Sequence, residues 1–431
     1  MPLKILATGD FHIGKKSSAV QQETEESATK FTWHNIVDYA IHQKIDVLAL
    51  TGDIVDQDNR YFEAIGPLQN GFEKLKQAGI SVFMVAGNHD FNVLPELTNT
   101  EKYNNVHLLG AEGTWEQKTF VKNGEEIQFV GWSFPTRHFR EDPFSTFNLE
   151  IDANKTTIGL LHGEVDVPLS NYAPINMTSF SNRAVEVWIL GHIHKPQFLQ
   201  KSEPTVFYPG SPHALSAKET GPHGPYLLTV QSSTNIQIEQ IPLSPVRYDK
   251  LKIDVTDKTT KNEIRDWVIA KLIEDAQSKI VELENVSFLI YDLVLVGQHS
   301  RISELETWVT PIIDDYNQEL GPTETQMSVR KITLKIEPKV ENMEELAQEA
   351  SPAGVLAETI LALERGEETE FANDMMKEWK SKQLALKQTS VYHPLRTGER
   401  FDLEEEDKQM KQYLLNECNR MLTTLIQQQN Q

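Results

Sequence analysis

Cysteine is nearly absent from this sequence. The single Cys418 among 431 residues excludes an internal disulfide framework and suits a reducing compartment. Positive charge is also scarce: 41 Lys and Arg face 63 Asp and Glu, for a formal net charge of −22. A surface broadly attractive to nucleic acid is thereby excluded, and a polyanionic ligand would have to be held by a local positive site. No apolar run approaches the ~20 residues that span a bilayer, and no internal repeat is visible. The opening MPLKILATGD enters a strand-like segment at once, without the charged, apolar and small-residue stretches of a signal peptide. A cytoplasmic protein without membrane association is expected. What remains is ordinary globular material, 39% hydrophobic and 24% charged, in a chain long enough for two or three domains.

Up to residue 240, short β-rich runs alternate with turns and amphipathic helices. KILAT (4–8), DVLALT (46–51), SVFMVA (81–86), TTIGLL (156–161) and EVWIL (186–190) read as buried strands of an α/β sheet. Helical spacing over 26–45 and 61–78 makes the early order strand–helix–strand–helix–strand, which predicts right-handed crossovers and a mostly parallel sheet. Strand-like stretches at 126–133 and 225–240 have no helices between them, so a second sheet is expected. Beyond 247 a β-α-β-α-β unit runs to 337, with helices at 260–278 and 303–318 and strands at 287–296 and 329–336. From 340 the chain is acidic and helical. Ser351-Pro352 is an N-cap and first-turn pair, and the last helix, 403–427, sets Met410, Leu414, Cys418, Met421 and Leu425 at spacings of three and four. That stripe is too apolar for water and predicts either docking on a partner or burial in the chain's own core.

The chemistry lies where the early strands end. They run into GDFH (9–12), GDIVD (52–56), GNHD (87–90), HGE (162–164) and GHIH (191–194). In an open α/β sheet the carboxyl ends of the strands are where ligands bind. Five apolar strands that each deliver Asp, Asn or His at that edge should therefore bring these groups together. One Asp-X-His is usually a turn; five such motifs in order, each at a strand end, are not. An Asp/His/Asn donor set without thiolate fits divalent Mn, Fe or Zn. Asp10, His12, Asp53, Asn88, His162, His192 and His194 are more donors than one ion needs, and a shared carboxylate can hold two ions ~3.5–4 Å apart.

In motif and order, residues 1–240 resemble the calcineurin-like metallophosphoesterase superfamily. The resemblance implies a sandwich of two mixed β-sheets flanked by helices, and two divalent ions, Mn²⁺ before Fe²⁺ or Zn²⁺. It assigns Asp10, His12, Asp53 and His194 to the first ion. Asp53 would bridge to the second, completed by Asn88, His162 and His192, while His89 would lie over the site as a catalytic residue for the leaving group. After GHIH the turn in FYPGSPHALSAKE (207–219) is similar to that of SbcD-type DNA repair exonucleases. That likeness implies a nuclease domain (1–243), a small α+β capping domain (247–337) and a C-terminal helical region (341–431) that docks on a coiled-coil ATPase of SbcC type. DNA and a second copy of the chain are the other partners it implies. One departure stands out: members from archaea and eukaryotes usually carry a histidine three residues after the bridging aspartate, where this chain has Asp56.

Arg60, Arg137, His138 and His213, with Lys195 and Lys218, lie in loops flanking the motifs and are candidates to meet substrate phosphates. Three readings follow. The first is a two-metal DNA exonuclease subunit of a repair complex. The second is a phosphoesterase for a small-molecule or protein substrate, which leaves residues 247–431 without an obvious task. The third is a scaffold that has lost catalysis, against which the intact donor set speaks.

Overall fold

The computed structural model describes residues 2–18, 20, 25–56, 64–98, 101–122, 124–181, 183–315, 325–339, 342–367, 369–387 and 403–429. The chain divides into two compact units: Met1–Leu251 with Ala270–Leu293 and Ile312–Ile332, and Lys252–Ile269 with Val294–Pro311 and Thr333–Gln431. The first begins with strands β1 (Leu3–Thr8), β2 (Val47–Leu50), β3 (Ser81–Met84), β4 (Val106–Leu108), β5 (Trp115–Lys122) and β6 (Glu125–Trp132). It continues through β7 (Thr156–His162), the two-residue β8 (Glu164–Val165) and β9 (Pro174–Ile175), and β10 (Val187–Gly191). Then come β11 (Gln197–Gln200), β12 (Thr205–Tyr208), β13 (Tyr226–Ser232) and β14 (Asn235–Gln240). Helices α1 (Thr29–His42) and α2 (Ile65–Gln77) join β1 to β2 and β2 to β3.

Two six-stranded sheets result, ordered β14-β13-β1-β2-β3-β4 and β11-β12-β10-β7-β6-β5. In the first, β1 to β4 run parallel and the β13–β14 hairpin joins antiparallel. In the second, β12, β10, β7 and β6 run parallel between antiparallel β11 and β5. Side chains alternate across a strand, and here both faces are covered. Leu6, Leu48, Leu50, Val82 and Met84 pack with Trp33, Ile36, Phe72 and Leu75 of the helices. Their neighbours Ile5, Ala7, Val47, Ala49 and Phe83 pack with Phe129, Ile158, Leu160, Ile189 and Phe207 of the other sheet. Burial on both faces is why these strands read as unbroken apolar runs. This is the metallophosphoesterase sandwich that the resemblance implies.

Farther along, β15 (Val246–Asp254), β16 (Phe288–His299) and β17 (Gln326–Pro338) form a three-stranded sheet in that order, with α4 (Lys261–Ser278) and α5 (Ile302–Asp315) between them in sequence. The C-terminal helices are α6 (Met343–Leu346), α7 (Pro352–Arg365), α8 (Glu370–Lys387) and α9 (Leu403–Gln429). Ser351 caps α7: its hydroxyl accepts from Gly354 N at 3.0 Å, and left-handed Gly366 ends the helix. The stripe on α9 goes into the chain's own core. Met410, Leu414, Cys418 and Leu422 are buried, the last three in one cluster with Leu356 and Ile360 of α7, while Met421 is exposed. The row at spacing four is therefore covered by a neighbouring helix and is not a free docking face. Among the described residues no helix is long and apolar enough to cross a membrane.

Candidate metal centre

Because β1, β2 and β3 are mutually parallel and β7 is parallel to β10, each sheet gathers its carboxyl ends at one edge, and backbone hydrogen bonds stitch the loops there. Asp10 N donates to Gly52 O at 2.9 Å and His12 N to Asp53 O at 3.0 Å. Asp90 accepts from Ile54 N at 2.6 Å and Gly87 N at 2.7 Å, joining the loops after β2 and β3. His192 N donates to both oxygens of Asp10, at 2.9 and 3.1 Å, which ties the second sheet to the first. The approach is so close that a Cβ on Gly87 would collide with Asp53, and one on Gly191 with Thr51 O and His162 Nδ1. Three of the donor residues, Asp10, His12 and Asp53, sit in left-handed backbone at φ 51°, 48° and 48°, and His192 at φ 98°. Such conformations cost ~1–3 kcal/mol each in non-glycine residues and persist where the surroundings over-determine them.

The seven expected donors fall into two sets. Donor atoms of Asp10, His12 and His194 lie within 4.8 Å of one another, as do those of Asp53, His162 and His192. Asn88 Oδ1 joins the second set, 3.1 Å from His162 Nε2 and 3.2 Å from His192 Nδ1. Asp53 Oδ2 stands between the sets, 3.5 Å from His162 Nε2 and 3.9 Å from His12 Nε2.

The chemistry of this donor set fits divalent cations. His162 Nδ1 meets Thr51 O at 2.9 Å, His192 Nε2 meets Glu164 at 3.1 Å and His194 Nδ1 meets Glu219 at 3.2 Å. Each acceptor fixes the proton on the outer nitrogen, so in neutral rings the inner lone pairs converge on Asp53, on Asn88 Oδ1, or on another ring, as His194 Nε2 does at 3.2 Å from His12 Nε2. Acceptors facing acceptors in a buried site demand a cation between them. Protons can serve in its place. Burial opposes charge on His162, yet the adjoining Asp53 outweighs burial and brings the pKa up to about 9.

His89 N donates to Asp53 Oδ1 at 2.8 Å, and its ring stands edge-on to that of His12. Its Nδ1 lies 3.3 Å from Asp56, whose carboxylate also faces His12 Nδ1 at 3.7 Å and Lys15 Nζ at 3.4 Å. Asp56 raises the pKa of His89, against the opposing effect of burial. Burial pushes Asp56 itself upward, but His12, His89 and Lys15 hold it well below the usual carboxylate range. Asp56 thus occupies the site as an anion that orients His89, a role that one aspartate in GDIVD does not disclose.

The candidate phosphate-binding residues fare unevenly. His138 is exposed, and its ring lies 5.6 Å from Tyr172, which in turn covers His192 at 4.8 Å. Arg137, Lys195 and Lys218 are exposed on the flanking loops. Arg60 lies outside the described residues. His213 is not placed to meet a substrate: it is fully buried, with Nε2 2.8 Å from Ser17 Oγ and Nδ1 2.7 Å from Thr32 Oγ1. The Pro-Gly-Ser-Pro turn points it inward. Glu164, Glu219 and Asp90 were not legible as parts of the site, since isolated carboxylates in loops look like solvated charge.

Residues 3–196 match the calcineurin-like phosphoesterase family. In this part the chain is similar to calcineurin-like phosphoesterases. Over 249 residues the chain is 33% identical to the uncharacterized metallophosphoesterase YhaO of Bacillus subtilis, a match covering 57% of this chain and 59% of that protein. It is 21% identical over 237 residues to the DNA double-strand break repair protein Mre11 of Methanopyrus kandleri, covering 50% of each. With one component of the nuclease SbcCD of Bacillus subtilis it shares 23% identity over 261 residues, covering 51% of this chain and 64% of that protein. The matches thus span between half and two-thirds of these relatives.

Proposed function

We propose that the chain is a metal-dependent phosphodiesterase acting on DNA, the exonuclease subunit of a repair complex with a coiled-coil ATPase. The observation that carries the two-ion part is the Asp53 carboxylate standing between two donor sets. Asp10, His12, Asp53 and His194 would hold one ion, and Asp53, Asn88, His162 and His192 the other; the donors fit Mn²⁺, Fe²⁺ or Zn²⁺, and the family resemblance puts Mn²⁺ first. The chemistry such ions supply is Lewis acidity toward phosphoryl oxygens and water. The chain's own residues do the rest. Thr51, Glu164 and Glu219 keep the histidine protons on their outer nitrogens. His89, with Nδ1 against Asp56 and its pKa raised, holds a proton at Nε2 for the departing oxygen. His138 offers a hydrogen-bonding group beside Tyr172, which covers His192 of the second set.

DNA as the substrate is supported by relatives whose names read as a DNA double-strand break repair protein and a nuclease component. Residues 247–337 as a cap and 341–431 as a partner-binding region belong to the same reading, as do homodimerisation and a cytoplasmic location. The test is purified protein with Mn²⁺ on linear duplex and single-stranded DNA, beside a chromogenic phosphodiester and phosphomonoester. Shortening of DNA from its ends supports the reading. Turnover of the monoester alone favours a small-molecule or protein phosphoesterase, and no turnover of any substrate at two bound ions favours a scaffold.

A further inference from the structure

The two donor sets share one feature beyond their ligands. Each contains a histidine whose outer nitrogen meets a glutamate: His192 with Glu164 in one, His194 with Glu219 in the other. The other two imidazoles have different outer neighbours, a backbone carbonyl for His162 and, at 3.7 Å, the shared Asp56 for His12. We infer that Glu164 and Glu219 are positioning residues, one for each ion, which fix the rings of His192 and His194 and set the two metal affinities separately. This inference rests on the two-ion reading above.

Both glutamates are built in. Glu164 follows His162 by two residues and opens β8. Its backbone N donates to Tyr172 O and Ala173 O, at 3.1 and 3.2 Å. On either side of it, Gly163 O accepts from Tyr208 Oη at 2.8 Å and Val165 N donates to the same oxygen of Tyr208 at 3.2 Å. The His192 ring is thereby held at its edge by Glu164 and on its face by Tyr172, 4.8 Å away and tilted 33°. Glu219 is held at both oxygens, Oε1 by His194 and Oε2 by Leu215 N at 2.7 Å. The backbone of its histidine is pinned as well, with His194 O accepting from Ser211 N at 2.9 Å. Their side chains are only 22% and 13% exposed, so neither is a freely rotating surface charge. A carboxylate on the outer nitrogen makes an imidazole a more basic and better oriented ligand, and its loss typically costs roughly 10–100-fold in metal affinity.

The full-length chain, stripped with chelator, is titrated with Mn²⁺ by calorimetry and by competition with a fluorescent chelator, for wild type, Glu164→Gln, Glu219→Gln and the double variant. Gln keeps the shape and removes the charge. Wild type should bind in two steps. Each single variant should weaken a different step by roughly 10–100-fold and leave the other unchanged, the double variant should weaken both, and the metal-free melting temperature should stay at the wild-type value. The inference is overturned if both single variants bind two ions with wild-type constants. It is equally overturned if either weakens both steps together while lowering the metal-free melting temperature, because that is a general packing role. A wild type that saturates at one ion removes the two-ion reading itself, an outcome visible before any variant is compared.

Discussion

At the scale of single residues, His162 shows how the centre holds a proton. Its pKa lies at about 9, above the ordinary 6.5. A raised histidine contributes stability that is complete below its unfolded pKa and lost as pH rises through the folded one. In chelator the melting temperature should therefore fall between about pH 7 and pH 10, whereas the Mn²⁺-loaded protein, whose ring is already neutral, should lack this loss. A metal-free melting temperature that is flat or rises over that range would show that no proton fills the cation's place. Asp56 gives a second expectation. Asp56→Asn removes the charge that raises the pKa of His89, so the alkaline limb of the kcat/KM profile should move to lower pH with both ions retained. His89→Gln should keep metal yet lose turnover by ~10²-fold or more, and loss of metal along with turnover would mean that His89 serves another purpose. The convergence of the seven expected donors was legible because each follows an apolar strand within a few residues. Glu164, Glu219 and Asp56 were not, since what distinguishes them is the neighbour each meets across the fold.

Among elements, the central strands at the candidate site were legible, and so was the edge strand β14, but β5 was not. β1, β2, β3, β7 and β10 are buried on both faces and announce themselves as apolar runs, whereas β5, with exposed Glu116, Gln117 and Lys118, has no such signature. The loops after β3 and β10 close only around small residues. Gly87→Ala should push Asp53 out of place, and metal analysis should find at most one ion per chain against the two expected of wild type. The apolar stripe of α9 was visible in sequence, but its destination was not: the same spacing serves a partner or a core. Burial against α7 decides for the core. Leu414→Ala should thus destabilise the helical region by ~2–5 kcal/mol, as truncations in packed cores do, measured as a lowered denaturation midpoint. An unchanged midpoint would mean that α7 and α9 do not hold each other.

For the molecule as a whole, the decisive quantity is the net charge of −22. A chain this acidic cannot hold DNA by diffuse attraction, so under the proposed function binding must pass through the cationic centre. Short duplex DNA should be retained in the presence of Mn²⁺ and released on adding chelator, and affinity should fall only gently with salt, since few phosphates are met. Retention in chelator at physiological salt would require a basic surface elsewhere. The scarcity of cysteine has a use at this scale too. Cys418 is the chain's only thiol, is 2% exposed among the residues that join α7 to α9, and has its pKa raised by burial. Reagents attack the thiolate of an accessible cysteine, so the closed helix pair is inert and every labelling event records one opening of it. Unaltered protein thus carries its own stopwatch for the breathing of its C-terminal helices, readable in any buffer, with any partner added, by counting modified molecules against time.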